Sequence, residues 1–185
     1  MGEIKSTLDL VMEKTKHMSL STEEKVQQES AEIEKMVNGL LQKTSDGVIE
    51  INELYRSLDD LKMPDGQTLV STLLPIIIAR IDLEQDNSDL LAILAGYCRS
   101  DTTALEKVLS AYNLERRQAA AAHVAAATQK LAEKYTISGS AVVPNLRTDK
   151  SWKERLSSIK RGFQKDLQKE TQQLKAAVKE KRLRK

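Results

Sequence analysis

The sequence predicts an all-α protein: an antiparallel helical bundle whose long N-terminal and C-terminal helices have coiled-coil character. Three observations lead to this fold class. Aromatic residues make up only 3% of the 185 residues, and only seven glycines and three prolines offer places to turn. Apolar residues recur at helical spacings of three and four along most of the chain. A β-sandwich would need many turns and many β-branched or aromatic residues.

The N-terminal part, residues 1–45, is predicted to form two helices of coiled-coil type. An apolar stripe in residues 3–18 indicates the first. The second begins at a capping box, in which the Ser21 side chain accepts the amide of Glu24 and Glu24 reaches back. Its stripe consists of Val26, Ile33, Val37 and Leu40. Because the stripe is thin and surrounded by polar residues, it is more typical of a coiled-coil contact than of a buried helix.

Residues 46–135 are predicted to form the helical core. After an Asp-Gly turn, a short helix is expected at 52–61, and Met-Pro-Asp-Gly at 63–66 marks the next turn. Residues 69–83 are apolar nearly all round and predict the central buried helix. Pro75 is expected to kink or divide that helix, because proline removes a backbone donor and clashes with the preceding turn.

The second half of this core is predicted to contain a short and a long helix. The short one is expected at 90–99, after the polar segment at 86–89. Asp101 is expected to cap the long helix, which ends near Tyr135. Its middle, residues 119–127, has seven alanines among nine residues, and their small side chains let another backbone approach closely.

The chain then passes through a predicted linker loop at 136–148 into a basic C-terminal helix at 149–185. Thr148 or Asp149 is expected to cap this helix. Its apolar positions are separated mostly by steps of four and three, which predicts one continuous stripe. These candidates for contact with a partner are Trp152, Leu156, Ile159, Phe163, Leu167, Leu174 and Val178.

Charge is distributed unevenly along the chain. Residues 150–185 contain 13 Lys/Arg and 4 Asp/Glu, a net charge of +9, whereas residues 1–149 have a net charge of −7. Residues 46–115 are the acidic part of the body, with 13 Asp/Glu against 5 Lys/Arg. A basic helix attached to an acidic body indicates where an anionic surface would bind.

Three interpretations of the C-terminal helix stay open at this stage, besides an ordinary solvated exterior. Its stripe packs on the chain's own body or on a second subunit, with its lysines facing residues 46–115. Alternatively, it binds nucleic acid without sequence preference, or it lies on an anionic membrane surface. The candidates for anion binding are Lys160, Arg161, Lys165, Lys179, Lys181, Arg182 and Arg184. The first interpretation is favoured because it accounts for both the apolar and the charged residues.

One segment resembles a known metal-binding motif. Residues 46–54 are similar to the second half of an EF-hand loop, with Asp46 at its fifth position, Gly47 at its sixth and Glu53 at its twelfth. Its first and third positions would be Gln42 and Thr44, where calcium needs carboxylates. A helix–turn–helix with Asp-Gly in the turn is therefore the favoured interpretation, and weak cation binding is left open.

Catalytic patterns are weak in this sequence. Cys98 has no neighbouring base in the sequence, and the two histidines, His17 and His123, occur in no nucleophile motif. No phosphate-binding loop, dinucleotide fingerprint or zinc-type cysteine pair occurs. A second acidic cluster at 82–89 lacks the glycine bend and closing glutamate of a calcium loop. We therefore expect no enzyme activity, no metal and no cofactor.

The N-terminus resembles that of other proteins. The opening MGEIKS, continued by EKTK at 13–16, looks like the opening of small, uncharacterised all-helical bacterial proteins, a resemblance that implies no activity. The same opening fits a short myristoylation pattern, which we interpret as a chance match.

The sequence predicts a cytoplasmic location. It contains one cysteine, no apolar segment of signal-peptide length at its start, and no apolar run longer than the seven residues at 73–79. Together with the helical pattern, this predicts a non-enzymatic helical scaffold or assembly module that acts through helix–helix contacts. The expected partners are other proteins or copies of the chain itself in a homo-oligomer. The alternative is sequence-independent binding of nucleic acid, or of another anionic surface, through the basic C-terminal helix.

Overall fold

A computed structural model of the chain describes residues 21–64, 68–139 and 141–183. This part is all-helical and contains no strand, so the predicted fold class is confirmed at that level. Its helices are α1 (Thr22–Ser45), α2 (Ile51–Asp59), α3 (Leu69–Arg80), α4 (Ser88–Gly96), α5 (Thr103–Tyr135) and α6 (Lys150–Leu183). The helix predicted at 3–18 lies outside the described residues.

The chain divides into two compact units, Met1–Leu73 and Leu74–Lys185, with the boundary inside α3. The first unit contains α1 and α2, which contact each other. The second contains α4, α5 and α6, of which α5 and α6 share the most extensive contact. None of the described helices is both long and apolar enough to cross a membrane.

Helix α1 begins at the predicted capping box. The Glu24 amide donates to Ser21 Oγ over 3.2 Å, and the Ser21 amide donates to Glu24 Oε2 over 2.7 Å. The buried face of α1 differs from the prediction, because Val26 is 37% exposed whereas Leu41 is buried. Helix α2 has nine residues and spans about 14 Å, so it can cover only part of the 24-residue α1.

Helix α1 ends in a Schellman motif. The Val48 amide donates to the Lys43 carbonyl over 2.8 Å, and the Gly47 amide donates to the Thr44 carbonyl over 3.0 Å. Gly47 has a φ of 69°, the left-handed conformation that this motif requires at the residue after the cap. The predicted Asp-Gly turn therefore has a local physical cause.

Pro75 does not divide α3, which runs from Leu69 to Arg80 with the proline inside it. The buried residues of this region lie along one side and comprise Leu73, Leu74, Ile77, Ile78 and Ile81. Pro75 is exposed, and so is Ser71, whose carbonyl would have accepted the missing proline N–H. Water can hydrate that carbonyl, which explains why the helix tolerates the proline.

The next two helices begin at other residues than predicted. Helix α4 occupies Ser88–Gly96 rather than 90–99. It ends before residue 99 because the Ser100 amide donates back to the Leu94 carbonyl and Arg99 adopts a φ of 50°. Helix α5 starts at Thr103, whose amide donates to Asp101 Oδ1 over 3.0 Å. Asp101 thus stabilises the start of α5 as expected, but from one residue before the cap position.

Helices α5 and α6 have 33 and 34 residues and lie antiparallel. Tyr112 of α5 meets Phe163 of α6, whereas His123, further along α5, meets Trp152 near the start of α6. The segment between them is irregular over its described residues, as predicted for 136–148. Asp149 precedes α6 and accepts the Trp152 amide over 3.1 Å, which makes it, rather than Thr148, the cap.

Two glycines, Gly39 within α1 and Gly47 just after its end, provide a matched test of this local structure. Gly39 is an exposed helical residue with open space around its Cα, so Gly39→Ala should stabilise the protein by about 0.5–1 kcal/mol. Gly47→Ala places a Cβ in a left-handed conformation and should destabilise it by about 1–2 kcal/mol. Urea unfolding followed by circular dichroism measures both. Shifts in the same direction would contradict the assigned end of α1.

Candidate functional site

The predicted partner-contact residues of α6 lie on the side of the helix that faces α5. Trp152 and Leu174 are each only 8% exposed. The other five, Leu156, Ile159, Phe163, Leu167 and Val178, are half-buried. Phe163 lies against Tyr112 with ring centroids 5.6 Å apart and ring planes 69° apart, an edge-to-face contact. We call this contact between α5 and α6 the seam.

Tyr112 is the largest fully buried side chain of the described residues. Burial raises the pKa of its hydroxyl, and the nearby negative charge of Glu84 raises it further. Within the described part of the chain, this hydroxyl has no hydrogen-bond partner. The ring of Tyr112 therefore stabilises the seam through apolar contact, whereas its desolvated hydroxyl destabilises the folded state.

An ion pair joins α6 to the loop between α3 and α4. Lys160 Nζ donates to Glu84 Oε2, and this bond is the main cause that raises the pKa of Lys160. Asn87 holds the loop in shape: its Oδ1 accepts the Asp82 amide over 3.1 Å, and its Nδ2 donates to the Asp82 carbonyl over 2.7 Å. Because Lys160 and Glu84 are partly exposed, the pair contributes at most ~1 kcal/mol and mainly sets orientation.

A second polar contact lies where α6 begins, at the Trp152 end of the seam. Asp149 Oδ2 is 2.9 Å from His123 Nε2, while Oδ1 accepts the Trp152 amide and the Ser151 hydroxyl. The hydrogen bond to His123 is the largest of the effects that hold the pKa of Asp149 far below its usual value. One carboxylate thus caps α6 and binds it to α5.

The histidine–carboxylate pair has the geometry of a structural contact. The Ser151 hydroxyl bonds to the carboxylate rather than to His123, and the Trp152 ring lies 5.6 Å from the imidazole. His123 lies about 30 Å along α5 from its N-terminus, whereas buried Cys98 precedes that end. In the described residues no group of three or more His, Cys, Asp or Glu is arranged to hold a metal ion.

The acidic segments form helix ends. Asp46 Oδ1 accepts Gln42 Nε2 over 2.9 Å, so the EF-hand-like segment closes α1 with its own side chains. In the second cluster, Asp82 accepts the Glu84 amide over 2.8 Å and Asp86 accepts the Ser88 amide over 2.9 Å. These bonds are typical of turns, in which Asp accepts an amide two residues on.

The predicted anion-binding residues differ in their environments. Lys160 is engaged by Glu84, while Arg161, Lys165 and Lys179 are exposed. The side chains of Lys181 and Arg182, and the whole of Arg184, lie outside the described residues.

Sequence reasoning missed the α5 side of the seam and its polar contacts. A usable signal existed, because the buried residues Leu105, Leu109 and Tyr112 follow the same spacing of four and three as the α6 stripe. The contact between His123 and Asp149 had no such signal, since 26 residues separate them.

Known proteins add no further assignment. No family model, curated protein or solved structure matches this chain.

The buried hydroxyl of Tyr112 leads to a stability prediction. Tyr112→Phe removes a desolvated group and keeps the ring, so the free energy of unfolding should rise by about 1 kcal/mol. Tyr112→Ala should lower it by ~3–5 kcal/mol through loss of ring packing. Tyr135→Phe, at an exposed tyrosine, is the matched control and should change little. A loss of more than about 1 kcal/mol in Tyr112→Phe would show that the hydroxyl is bonded.

The depressed pKa of Asp149 leads to a pH prediction. The ionised carboxylate stabilises the folded state, so its contribution is present above the unfolded value of 3.8 and is lost as pH falls through the lower folded value. Asp149→Asn keeps a capping side chain but removes the charge. Its melting temperature should lie below that of the wild type at neutral pH and approach it in acid.

Glu154→Gln is the control for this experiment, because Glu154 is an exposed carboxylate of the same helix. It should leave the melting temperature nearly unchanged at every pH. A constant difference between wild type and Asp149→Asn from neutral to strongly acidic pH would contradict the assigned charge effect.

Proposed function

We propose that this chain is a non-enzymatic helical assembly module of the cytoplasm, whose helices form an antiparallel bundle. Its partners are protein helices, with a second copy of the chain as the first partner, bound through coiled-coil-type contacts. The observation that carries the proposal is an exposed, alanine-rich face on α5, beside the side of that helix that packs at the seam.

This exposed face consists of three alanines, one leucine and one glutamine with helical spacing. It comprises Ala111, Leu114, Gln118, Ala122 and Ala125, all exposed. Leu114 is 58% exposed, although burial of a leucine side chain contributes roughly 1.5–3 kcal/mol. Alanines beside it allow a partner backbone to come close, which increases the contact area.

A groove runs beside this face. It has a volume of about 540 Å³, and Leu114, Ala122, Arg155 and Phe163 are among its lining residues. Phe163 is half-buried, so its ring belongs to the seam and also reaches the groove. Such a groove suits an amphipathic helix that inserts apolar residues at spacings of three and four.

More exposed apolar side chains lie where α5 ends. Tyr135, Ile137 and Val143 are each about half exposed or more. Single exposed apolar residues are ordinary on a protein surface, but several on one helix end and the following loop favour burial in an assembly. The chain has one cysteine, the buried Cys98, and therefore no intramolecular disulfide, which favours a reducing compartment such as the cytoplasm.

Light scattering over a range of protein concentrations tests this proposal. The wild type should associate. Leu114→Glu combined with Ala122→Arg should weaken association by about tenfold or more, because a charge replaces the leucine that the proposed interface would bury. Ala176→Arg, at an exposed alanine of α6, is the matched control and should associate like the wild type. A wild type that stays monomeric throughout, or a control that dissociates equally, would contradict the proposal.

A further inference from the structure

The side of α6 that faces away from α5 carries a straight row of hydrogen-bond donors. These residues, here called the donor row, are Arg161, Lys165, Gln168, Gln172, Lys175 and Lys179. Steps of four and three place them on one line along the helix, and all six are exposed. The row extends about 27 Å at 1.5 Å per residue.

The row is cationic and free of carboxylates. The two acidic residues in this stretch of α6, Asp166 and Glu170, point elsewhere: Asp166 is rotated by about 100° from Lys165, and Glu170 is half-buried. Within the described residues no ion pair involves Arg161, Lys165, Lys175 or Lys179, in contrast to Lys160 on the inner flank. Among the residues that the structure describes, these four positive charges of the row therefore have no carboxylate partner.

A recess interrupts the row near its start. It has a volume of about 590 Å³, and Arg161, Gly162, Lys165 and Gln168 are among its lining residues. Gly162 has open space around its Cα, so no side chain separates the two neighbouring cations from this recess. Both cations can therefore approach the same anionic group.

We propose that the donor row binds the phosphate backbone of nucleic acid without sequence preference. Arg, Lys and Gln side chains are donors that commonly contact phosphate oxygens and carry no base readout by doing so. A polyanion in an extended conformation matches a straight row of cations that form no ion pair within the described part of the chain.

The chemistry of the row disfavours two other partners. The centre of a protein–protein interface is rich in apolar and aromatic residues and poor in lysine, whereas the row has neither apolar nor aromatic residues. Insertion into a membrane surface requires an apolar helix face, and the apolar face of α6 packs at the seam.

The structure therefore changes the set of anion-binding residues. Lys160 no longer belongs to the proposed anion-binding residues, because it is paired with Glu84. Lys175, Gln168 and Gln172 are added to them, because they are exposed on the donor row. This surface is separate from the exposed face of α5, so the proposal does not depend on assembly.

Fluorescence anisotropy with labelled random-sequence duplex DNA and single-stranded RNA tests the proposal on the full chain. If all four cations contact phosphates, the logarithm of the association constant for the duplex should fall with the logarithm of the salt concentration with a slope of about −3.6. This slope corresponds to a roughly 100-fold loss of affinity between 50 and 200 mM salt. The variant Arg161→Gln/Lys165→Gln/Lys175→Gln/Lys179→Gln should bring the slope close to zero.

The control variant removes the same charge elsewhere. Lys35→Gln/Lys62→Gln/Lys107→Gln/Lys130→Gln replaces four exposed lysines outside α6 and should keep most of the affinity and the slope. Circular dichroism and thermal melting of both variants verify that they fold.

Three results would overturn the proposal. These are a wild type that fails to bind either nucleic acid at 50 mM salt, a control that loses as much affinity as the row variant, and binding to vesicles containing anionic lipid without binding to nucleic acid. A slope that disappears only in the row variant supports it.

Discussion

The rest of the second unit depends on the contact between the apolar face of α6 and α5. Helices of 33 and 34 residues with narrow apolar stripes gain most of their stability from packing rather than from intrinsic propensity. Each large side chain buried at the seam contributes roughly 1.5–3 kcal/mol, more than any of the exposed charges. With the apolar side of α6 facing α5, its donor row faces solvent, and the exposed face of α5 lies on the side that α6 does not cover.

Two polar contacts, one to α5 and one to the loop between α3 and α4, restrict how α6 aligns along the seam. An apolar stripe that repeats every three or four residues fits almost equally well after a shift of one turn, about 5.4 Å. The hydrogen bond between His123 and Asp149 and the ion pair between Lys160 and Glu84 fit only one alignment. Both are partly exposed, so their main physical effect is specificity of alignment.

This arrangement separates two kinds of surface on the same helix pair. The exposed face of α5 consists mainly of alanine, with Leu114 as its one large apolar side chain, and is the surface proposed to bind another helix. The donor row of α6 consists of Arg, Lys and Gln, and suits a chain of phosphates. The proposed self-association and the proposed polyanion binding are therefore compatible with each other, because neither surface uses residues of the other.

The sequence by itself determined the features that have local causes. The capping box at Ser21 and Glu24 and the turn at Gly47 each depend on residues within a few positions, so short-range chemistry predicts them. For the cap of α6 the sequence left Thr148 and Asp149 as alternatives, and the structure selects Asp149. The stripe of α6 was likewise readable from its spacing. Only the tertiary structure decided that Val26 is exposed, that Lys160 is paired and that Tyr112 is buried at the seam. Lys160 and Glu84 are 76 residues apart, and helical periodicity shows which face of a helix is apolar but not which distant residue meets it. The basic C-terminal helix thus has an apolar side set by its sequence, while the fold decides which of its cations stay free.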